Sequence, residues 1–482
     1  MSLSPPIPQE QGQRRPSRIL FGSCNSHHYP QVLWPNIRKR NATAFVWAGD
    51  AIYADKTQFE VDAPKFFLSK RKGAPGTPAI MEQLYQEQLA HEEYSLLIKE
   101  VNIFGTLDDH DYGIDNGDET FPLKREAAIA YVETFLQLPK DSIMAQRARN
   151  GAGVYGVRVF DFSRPNGQEL LSDDEAGIDP EVARQESPSY SNRSVAVFVL
   201  DVRSNKTPWI KGGIRKFFSD YGGDFLGETQ WKWLQEALSR SMASVNIVVN
   251  GLQVHADKFA DPNVAESWSR FPTSQDRLYQ LLLQPHVKTP ILISGDVHHA
   301  SLSRKDCSSG TETRPLLEMT TSGMTHSWAV NFCAAPSRKC QSRYTLFATK
   351  STMTIGHHIN PWTEILVDEG AEGAKSGLQY TLELNFGELE FDWENKAIQA
   401  RVMGVNETAP LLSVRWEMDW QNRSHGNTSW HCINHRGPVN PVHRFVAQVV
   451  SVGIMLTFAG APTAAVVLAV ALLFRCLRNA RC

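Results

Sequence analysis

Short apolar runs alternate with stretches of helical periodicity along this chain from residue 18 onward. Strands are predicted at Ile19–Gly22, Ala44–Ala48, Val101–Leu107, Ser194–Asp201, Val245–Gly251 and Pro290–Gly295. Helices are predicted between them, at Pro30–Lys39, Ile80–Lys99, Leu123–Leu138, Gly227–Ser241 and Ser274–Leu283. This alternation argues for an α/β fold with sheets covered by helices. Later runs differ: Leu316–Thr321, Leu378–Asn385, Glu388–Trp393 and Ala397–Met403 read as an antiparallel meander with polar turns. Residues 1–17 read as a disordered leader. Two polar, irregular insertions, Asp55–Pro78 and Ser163–Arg193, are expected to border a substrate cleft. There is no internal repeat.

Five of the apolar runs end in residues able to bind metal. They are Phe21-Gly-Ser-Cys24, Gly49-Asp-Ala-Ile-Tyr53, Asp108-Asp-His-Asp111, Asn250-Gly-Leu-Gln253 and Gly295-Asp-Val-His298. Open α/β sheets place ligands beyond the carboxyl ends of their strands, so these groups are expected to converge on one metal-centred site. Gly49 lets the backbone turn sharply so that the Asp50 carboxylate can bridge two metals. Tyr53 follows within reach of the same ion, and a phenolate ligand makes Fe(III) the natural candidate. Alone, Gly-Asp-x-x-Tyr reads rather as a turn with a surface tyrosine, and it is the other runs that favour a metal site. Three acids around His110 are costly side by side unless a cation or hydrogen bonds compensate, and His110 suits proton donation. Asp296 and His298 stand two apart, on one face if the chain is extended there, with His299 turned away. Asn250 or Gln253 would supply a neutral oxygen. Cys24 is read either as a thiolate ligand or as simply buried.

Composition narrows the picture further. Apolar residues make up 42% of the 482 positions, ample for a large core, and the formal net charge is −3. No long basic stripe with interleaved aromatics is present, so no nucleic-acid-binding surface is expected. Most of the 12 tryptophans, including Trp34, Trp47, Trp231 and Trp233, are assigned to core packing. Gly-x-Ser-x-Gly is absent, which counts against an ester hydrolase built on a nucleophile elbow.

The ordered runs resemble the metallophosphoesterase pattern, and more closely the PhoD-like branch of alkaline phosphatases. The resemblance rests on Phe21-Gly-Ser-Cys-Asn25, Trp47-Ala-Gly-Asp-Ala-Ile-Tyr-Ala-Asp55, Leu107-Asp-Asp-His-Asp-Tyr-Gly113 and Leu200-Asp-Val-Arg203. It extends through Leu226-Gly-Glu-Thr-Gln-Trp231, Ile293-Ser-Gly-Asp-Val-His298, Thr321-Ser-Gly-Met-Thr-His326 and Asn385-Phe-Gly387, and covers roughly residues 18–405. It implies a metallophosphatase-like β-sandwich of mixed sheets flanked by helices. It also implies a phosphoesterase, acting on monoesters and/or diesters by attack of a metal-bound hydroxide. By position, Asp50 would bridge the metals, and Cys24, Tyr53 and His298 would complete an Fe(III) site. Asp109, Asn250 and Asp296 would hold a second metal, Ca(II) by resemblance, with Zn or Mn as alternatives. His110 would face the leaving group and His326 would line the cleft. Arg203 would orient the phosphate or form a structural ion pair with Asp201 or another acid. Asp55 stands where some members carry Glu, a departure that bears on the second metal. The other reading is a non-catalytic membrane protein that binds a ligand or partner on the same fold.

The remaining features concern compartment. Residues 406–444 read as a polar extension, 445–474 as a transmembrane helix or anchor and 475–482 as a short basic tail. Val446–Phe474 carries no charge and exceeds the roughly 20 apolar residues that span a bilayer. The Gly460-Ala-Pro462 break permits a kink or a short re-entrant hairpin. Arg475, Arg478 and Arg481 favour a cytosolic tail with the catalytic domain luminal or extracellular. Asn-x-Ser/Thr sequons at Asn41, Asn192, Asn205, Asn406, Asn422 and Asn427 agree with that orientation. Cys333 and Cys340 are candidates for a disulfide, and Cys476 for acylation. Met1–Arg18 holds no apolar signal core, which leaves two readings: a start farther upstream, or a tail inserted after synthesis with the enzyme in the cytosol.

Overall fold

The computed structural model describes residues 16–55, 75–173, 191–208, 222–256, 266–310, 312–327, 364–365, 380–406, 409–419 and 429–433. Strands in chain order are β1 (Arg18–Gly22), β2 (Ala44–Ala48), β3 (Asn102–Thr106), β4 (Gly156–Asp161), β5 (Gln168–Ser172), β6 (Ser194–Val199), β7 (Val245–Val249) and β8 (Pro290–Ser294). They continue with β9 (Ala300–Ser309), β10 (Glu312–Thr321), β11 (Glu364–Ile365), β12 (Tyr380–Thr381), β13 (Phe386–Asp392), β14 (Ala397–Met403), β15 (Leu412–Glu417) and β16 (His431–Ile433).

Two mixed sheets result. The first runs β15-β14-β13-β1-β2-β3, with β1, β2 and β3 parallel and the others antiparallel. The second runs β11-β9-β10-β8-β7-β6-β4-β5, around a parallel centre of β6, β7, β8 and β10. Its strands are apolar on both faces because each face meets a different core. Val195, Val197, Ile247, Val249, Ile291 and Ile293 share a cluster with Ile19, Phe21, Val46 and Trp47 of the first sheet. The intervening Ala196, Phe198, Val248 and Leu292 pack with Trp231, Leu234 and Leu278 of the helices Gly227–Arg240 and Pro272–Leu282. Period-two alternation therefore sorts one strand between two apolar layers. The α/β sandwich with flanking helices is as the motifs imply.

Several boundaries differ from expectation. The predicted helix at Ile80–Lys99 is two, Pro78–Ala90 and Glu92–Glu100, broken where His91 adopts φ −59 and ψ 125. Leu123–Leu138 becomes an α-helix over Lys124–Ile129 that continues as a π-helix over Ala130–Phe135. Part of the irregular insertion, Gln168–Ser172, is a strand that pairs with β4. The polar extension beyond residue 405 is not separate from the sandwich: β15 pairs with β14, and β16 pairs with β9 through a register that includes the Cys307–Cys432 disulfide. Cys333 and Cys340 lie outside the described residues, as does Val446–Phe474. No helix of the described residues is long and apolar enough to cross a membrane.

Candidate metal centre

The parallel strands of both sheets end on one side of the sandwich, and backbone bonds tie those ends together. Asn25 N–H donates to Asp50 O at 2.8 Å, and Gly295 N–H donates to Gly251 O at 3.0 Å. Met324 N–H, just past β10, donates to Ser23 O, just past β1, at 3.2 Å, and so joins the two sheets. Two glycines make the approach possible. Gly49 has φ +86, and a side chain there would collide with Asp108; one at Gly251 would strike the Asp108 carboxylate.

Asp50, 1% exposed, stands at the centre. Its Oδ2 lies 3.4 Å from Cys24 Sγ and 3.5 Å from Tyr53 Oη, and its Oδ1 accepts from His110 N–H at 3.3 Å. Donor atoms of Asp50, Asp109 and His110 lie within 4.8 Å of one another, as do those of Asp108, Asp109 and Asp296. His298 joins the Cys24 side instead: its N–H donates to Ser322 Oγ at 2.7 Å, and its ring is 4.5 Å from that of His326. Asp296 and His298 do not lie on an extended segment as the sequence suggested. Both have positive φ, +68 and +53, and the bent chain delivers them to different parts of the site.

Burial charges this arrangement with energy in the absence of a cation. Burial, with Asp50 adding repulsion, raises the Cys24 thiol well above its ordinary value. Burial, then Cys24 and Asp50, does the same to the Tyr53 phenol. Asp50 itself is raised by burial, opposed by His110 and reinforced by Asp109. Asp108 is pushed up to about 6 by burial against the pull of Arg203, and its buried Oδ2 has no hydrogen-bond partner. Several acids held together out of water, one oxygen of them orphaned, fit a cation that would relieve both costs. The donor set of a thiolate, a phenolate, carboxylates and imidazole fits a transition metal on the Cys24 side. The all-carboxylate group of Asp109 and Asp296 fits a hard divalent ion.

Arg203 and Asn250 are both engaged by neighbouring groups of the protein. Arg203 is fully buried: its Nε is bonded to Asp108 and its Nη1 to Glu266. Although burial opposes its charge, Asp108, Glu266 and Asp109 hold it protonated. This is the structural ion pair with another acid that the sequence left open, made with Asp108 and Glu266, while Asp201 Oδ1 accepts from Arg203 N–H. Asn250 Oδ1 accepts from Leu252 N–H and Trp268 Nε1–H, both at 3.0 Å, so its amide oxygen is already engaged. Gln253 donates to Thr320 Oγ1 at 3.0 Å, and His299 Nδ1 faces Val297 O at 3.0 Å.

Five residues beyond the expected ligands take part. Asp55 Oδ1 is 2.8 Å from His110 Nδ1, and the His110 ring stacks on Tyr53 at 4.1 Å and 27°; together they fix the imidazole. Ser322 sits between Cys24 and His298. Glu266 and Lys206 pair beside Arg203, with Lys206 Nζ also donating to Asn116 O at 3.0 Å. Asp111, the last acid of its run, accepts from the backbone N–H groups of Ala51, Ile52 and Asp108 and from Tyr85 Oη, which makes it a structural brace.

Residues 192–355 match the family model described as PhoD-like phosphatase. The solved structure of PhoD shares the fold, at 14% identity and a TM-score of 0.51, covering 94% of this chain and 79% of PhoD. GAP50, the anchor in the inner membrane complex of Plasmodium, is a more distant likeness at 10% identity and a TM-score of 0.37, covering 89% and 94%. No curated protein matches the sequence. Residues 192–355 thus carry the likeness to the PhoD-like phosphatases, and the chain shares the fold of PhoD.

Proposed function

We propose that this chain is a membrane-anchored, metal-dependent phosphoesterase that hydrolyses phosphomonoesters and/or phosphodiesters. The observation that carries the reading is the convergence of Cys24, Tyr53, Asp109 and His110 on Asp50, from the ends of three parallel strands. Cys24, Asp50, Tyr53 and His298 would hold Fe(III), and Asp50, Asp109 and Asp296 would hold a second metal, Ca(II) in the first instance. Bound there, the pair supplies positive charge for the phosphate oxygens and acidifies a water. The residues of the chain do the rest. Asp55 grips His110 at Nδ1, which leaves Nε2 to hold a proton and give it to the departing oxygen. Tyr53, stacked beneath, keeps the imidazole from swinging. Arg203, bound to Asp108, anchors the run that carries Asp109 and His110.

The test is hydrolysis of an aryl phosphomonoester and an aryl phosphodiester by the full chain with iron and calcium supplied, beside Asp50→Asn. Turnover lost in the variant supports the reading and ranks the two ester classes. Equal activity in both proteins would sink it, and metal binding without turnover would favour the non-catalytic alternative.

The charge-free Val446–Phe474 supports the anchor. A luminal or extracellular domain is supported by the Cys307–Cys432 disulfide and by sequons at the exposed Asn41, Asn192 and Asn406. Asn205 is half-buried with its Nδ2 donating to Ala152 O at 3.1 Å, and is not expected to carry a glycan. Deleting Val446–Cys482 should release the protein from vesicles, and glycosidase treatment should lower the mass of the full chain. Retention on vesicles, or an unchanged mass, would refute the corresponding part.

A further inference from the structure

The loop that leaves β10 carries two polar side chains that the proposed reaction does not use. Ser322 is fully buried, 3.0 Å from Cys24 Sγ, and its Oγ accepts from His298 N–H at 2.7 Å. An amide can only donate, so the hydroxyl hydrogen of Ser322 is left to point at the sulfur. Four residues on, His326 Nε2 lies 3.1 Å from Tyr53 Oη, while its Nδ1 lies 3.1 Å from Thr325 Oγ1. Thr325 is itself pinned, accepting from Ser26 N–H at 2.8 Å. One loop thus addresses both of the ligands that must lose a proton to bind a cation, a thiol and a phenol. Protonated, both groups direct their hydrogens at Asp50 Oδ2. Once they leave, the resulting anions sit out of water and require other donors. A phenolate has no hydrogen to give, so His326 must then carry a proton on Nε2, while the Thr325 hydroxyl has both Nδ1 at 3.1 Å and Cys24 O at 3.3 Å within reach.

We propose that Ser322 and His326 are positioning residues that donate hydrogen bonds to the Cys24 thiolate and the Tyr53 phenolate, Ser322 by a closer contact than the 3.6 Å one from Ser23 Oγ to the same sulfur. Each bond draws electron density off its ligand, which holds the ligand in place and lowers its donor level. The inference rests on the assignment of Cys24 and Tyr53 as ligands, and the experiment separates the two.

The full chain is loaded with Fe(III) alone, and its visible spectrum and metal content are recorded. Wild type should show one thiolate and one phenolate charge-transfer band. Ser322→Ala should move the thiolate band to longer wavelength and leave the phenolate band in place. His326→Leu should do the reverse. Ser322→Thr and His326→Gln, which keep a donor, should restore most of each shift. Losing a hydrogen bond to an ion should weaken iron retention by roughly tenfold or more in each truncating variant. Loaded wild type lacking both bands would overturn the ligand assignment itself. Bands present in wild type but unmoved in both variants, or moved together in each, would overturn the proposal while leaving the ligands standing. If an alanine or leucine variant fails to fold, the conservative pair still decides: wild-type spectra in both support donor replacement, and a shift of the wrong band in either refutes it.

Discussion

Glu266→Gln isolates the buried charge network behind the acids. Glu266 is 2% exposed and touches Arg203 Nη1 on one side and Lys206 Nζ on the other. Both cations are fully buried, and Arg203 is the residue that holds Asp108. Gln keeps the shape and removes the charge, which leaves two buried cations with one anion fewer. Removing one member of such a group costs about 3–5 kcal/mol. The cost should depend on pH, and the sign follows from Lys206. Burial lowers its pKa from the ordinary 10.5, and Glu266 is the main influence raising it again. Without Glu266 the folded-state value falls further below the unfolded one. Between those values the unfolded chain binds more protons than the folded chain, so the stability of the variant rises with pH across that window. Its deficit against wild type is therefore largest near neutrality and shrinks toward 10.5. Urea unfolding of both proteins at pH about 7 and about 9.5 measures this. A deficit below about 1 kcal/mol at neutrality, or one that does not change with pH, would refute the claim that charge holds the network together.

Three further outcomes can be checked. Burial, then Lys305, holds His255 neutral at about 3 against the ordinary 6.5. Stability should thus fall as pH drops below 6.5, by about 2 kcal/mol at pH about 5, and His255→Gln should flatten that slope in acid unfolding curves. Cys432→Ser opens a disulfide of sequence separation 125 and should cost about 2–5 kcal/mol; the denaturation midpoint of the variant should no longer respond to reductant. Asp55→Asn replaces a charged partner of His110 with a neutral one and should lower kcat about 10- to 100-fold with little change in KM. Unchanged kcat would mean that Asp55 does not set the imidazole.

The parts of the fold legible in sequence are those where apolar pattern and burial coincide. β2 and β14 carry the predicted bounds, since Ala44–Ala48 is buried throughout and Ala397–Met403 alternates. β9 was not read because Ser301, Ser303 and Lys305 are polar yet buried beneath neighbouring strands that pair with it. β4 was hidden by Arg158, whose guanidinium lies over the Phe104 ring at 4.5 Å. At the site, each candidate ligand announced itself by following an apolar run. Glu266 has no such signal: it is one acid in a polar loop, 63 residues from Arg203 and 60 from Lys206. Ser322 lay inside a quoted motif, but nothing in one dimension says that its hydroxyl will fall between Cys24 and His298.

The backbone itself distinguishes the site from the other strand ends. Ten non-glycine residues among those described have positive φ, and four of them are Cys24, Asp50, Asp296 and His298. Each such conformation costs on the order of 1–3 kcal/mol and persists only where the surroundings over-determine it. Here the constraints are visible: Asp50 O accepts from Asn25 N–H, and His298 N–H is held by Ser322. Elsewhere half of the positive-φ positions are Asn, which tolerates them, whereas cysteine has no such excuse. A strand that ended in relaxed geometry would continue its two-residue alternation and send neighbouring side chains to opposite faces. The left-handed turns break that alternation, so Asp296 and His298 can serve different halves of the centre although one residue separates them. A strained backbone, buried acids with raised proton affinity and an orphaned Asp108 oxygen are three separate costs at one place. A scaffold that needed only stability would have removed them, and a bound cation is the one addition that offsets the electrostatic ones together.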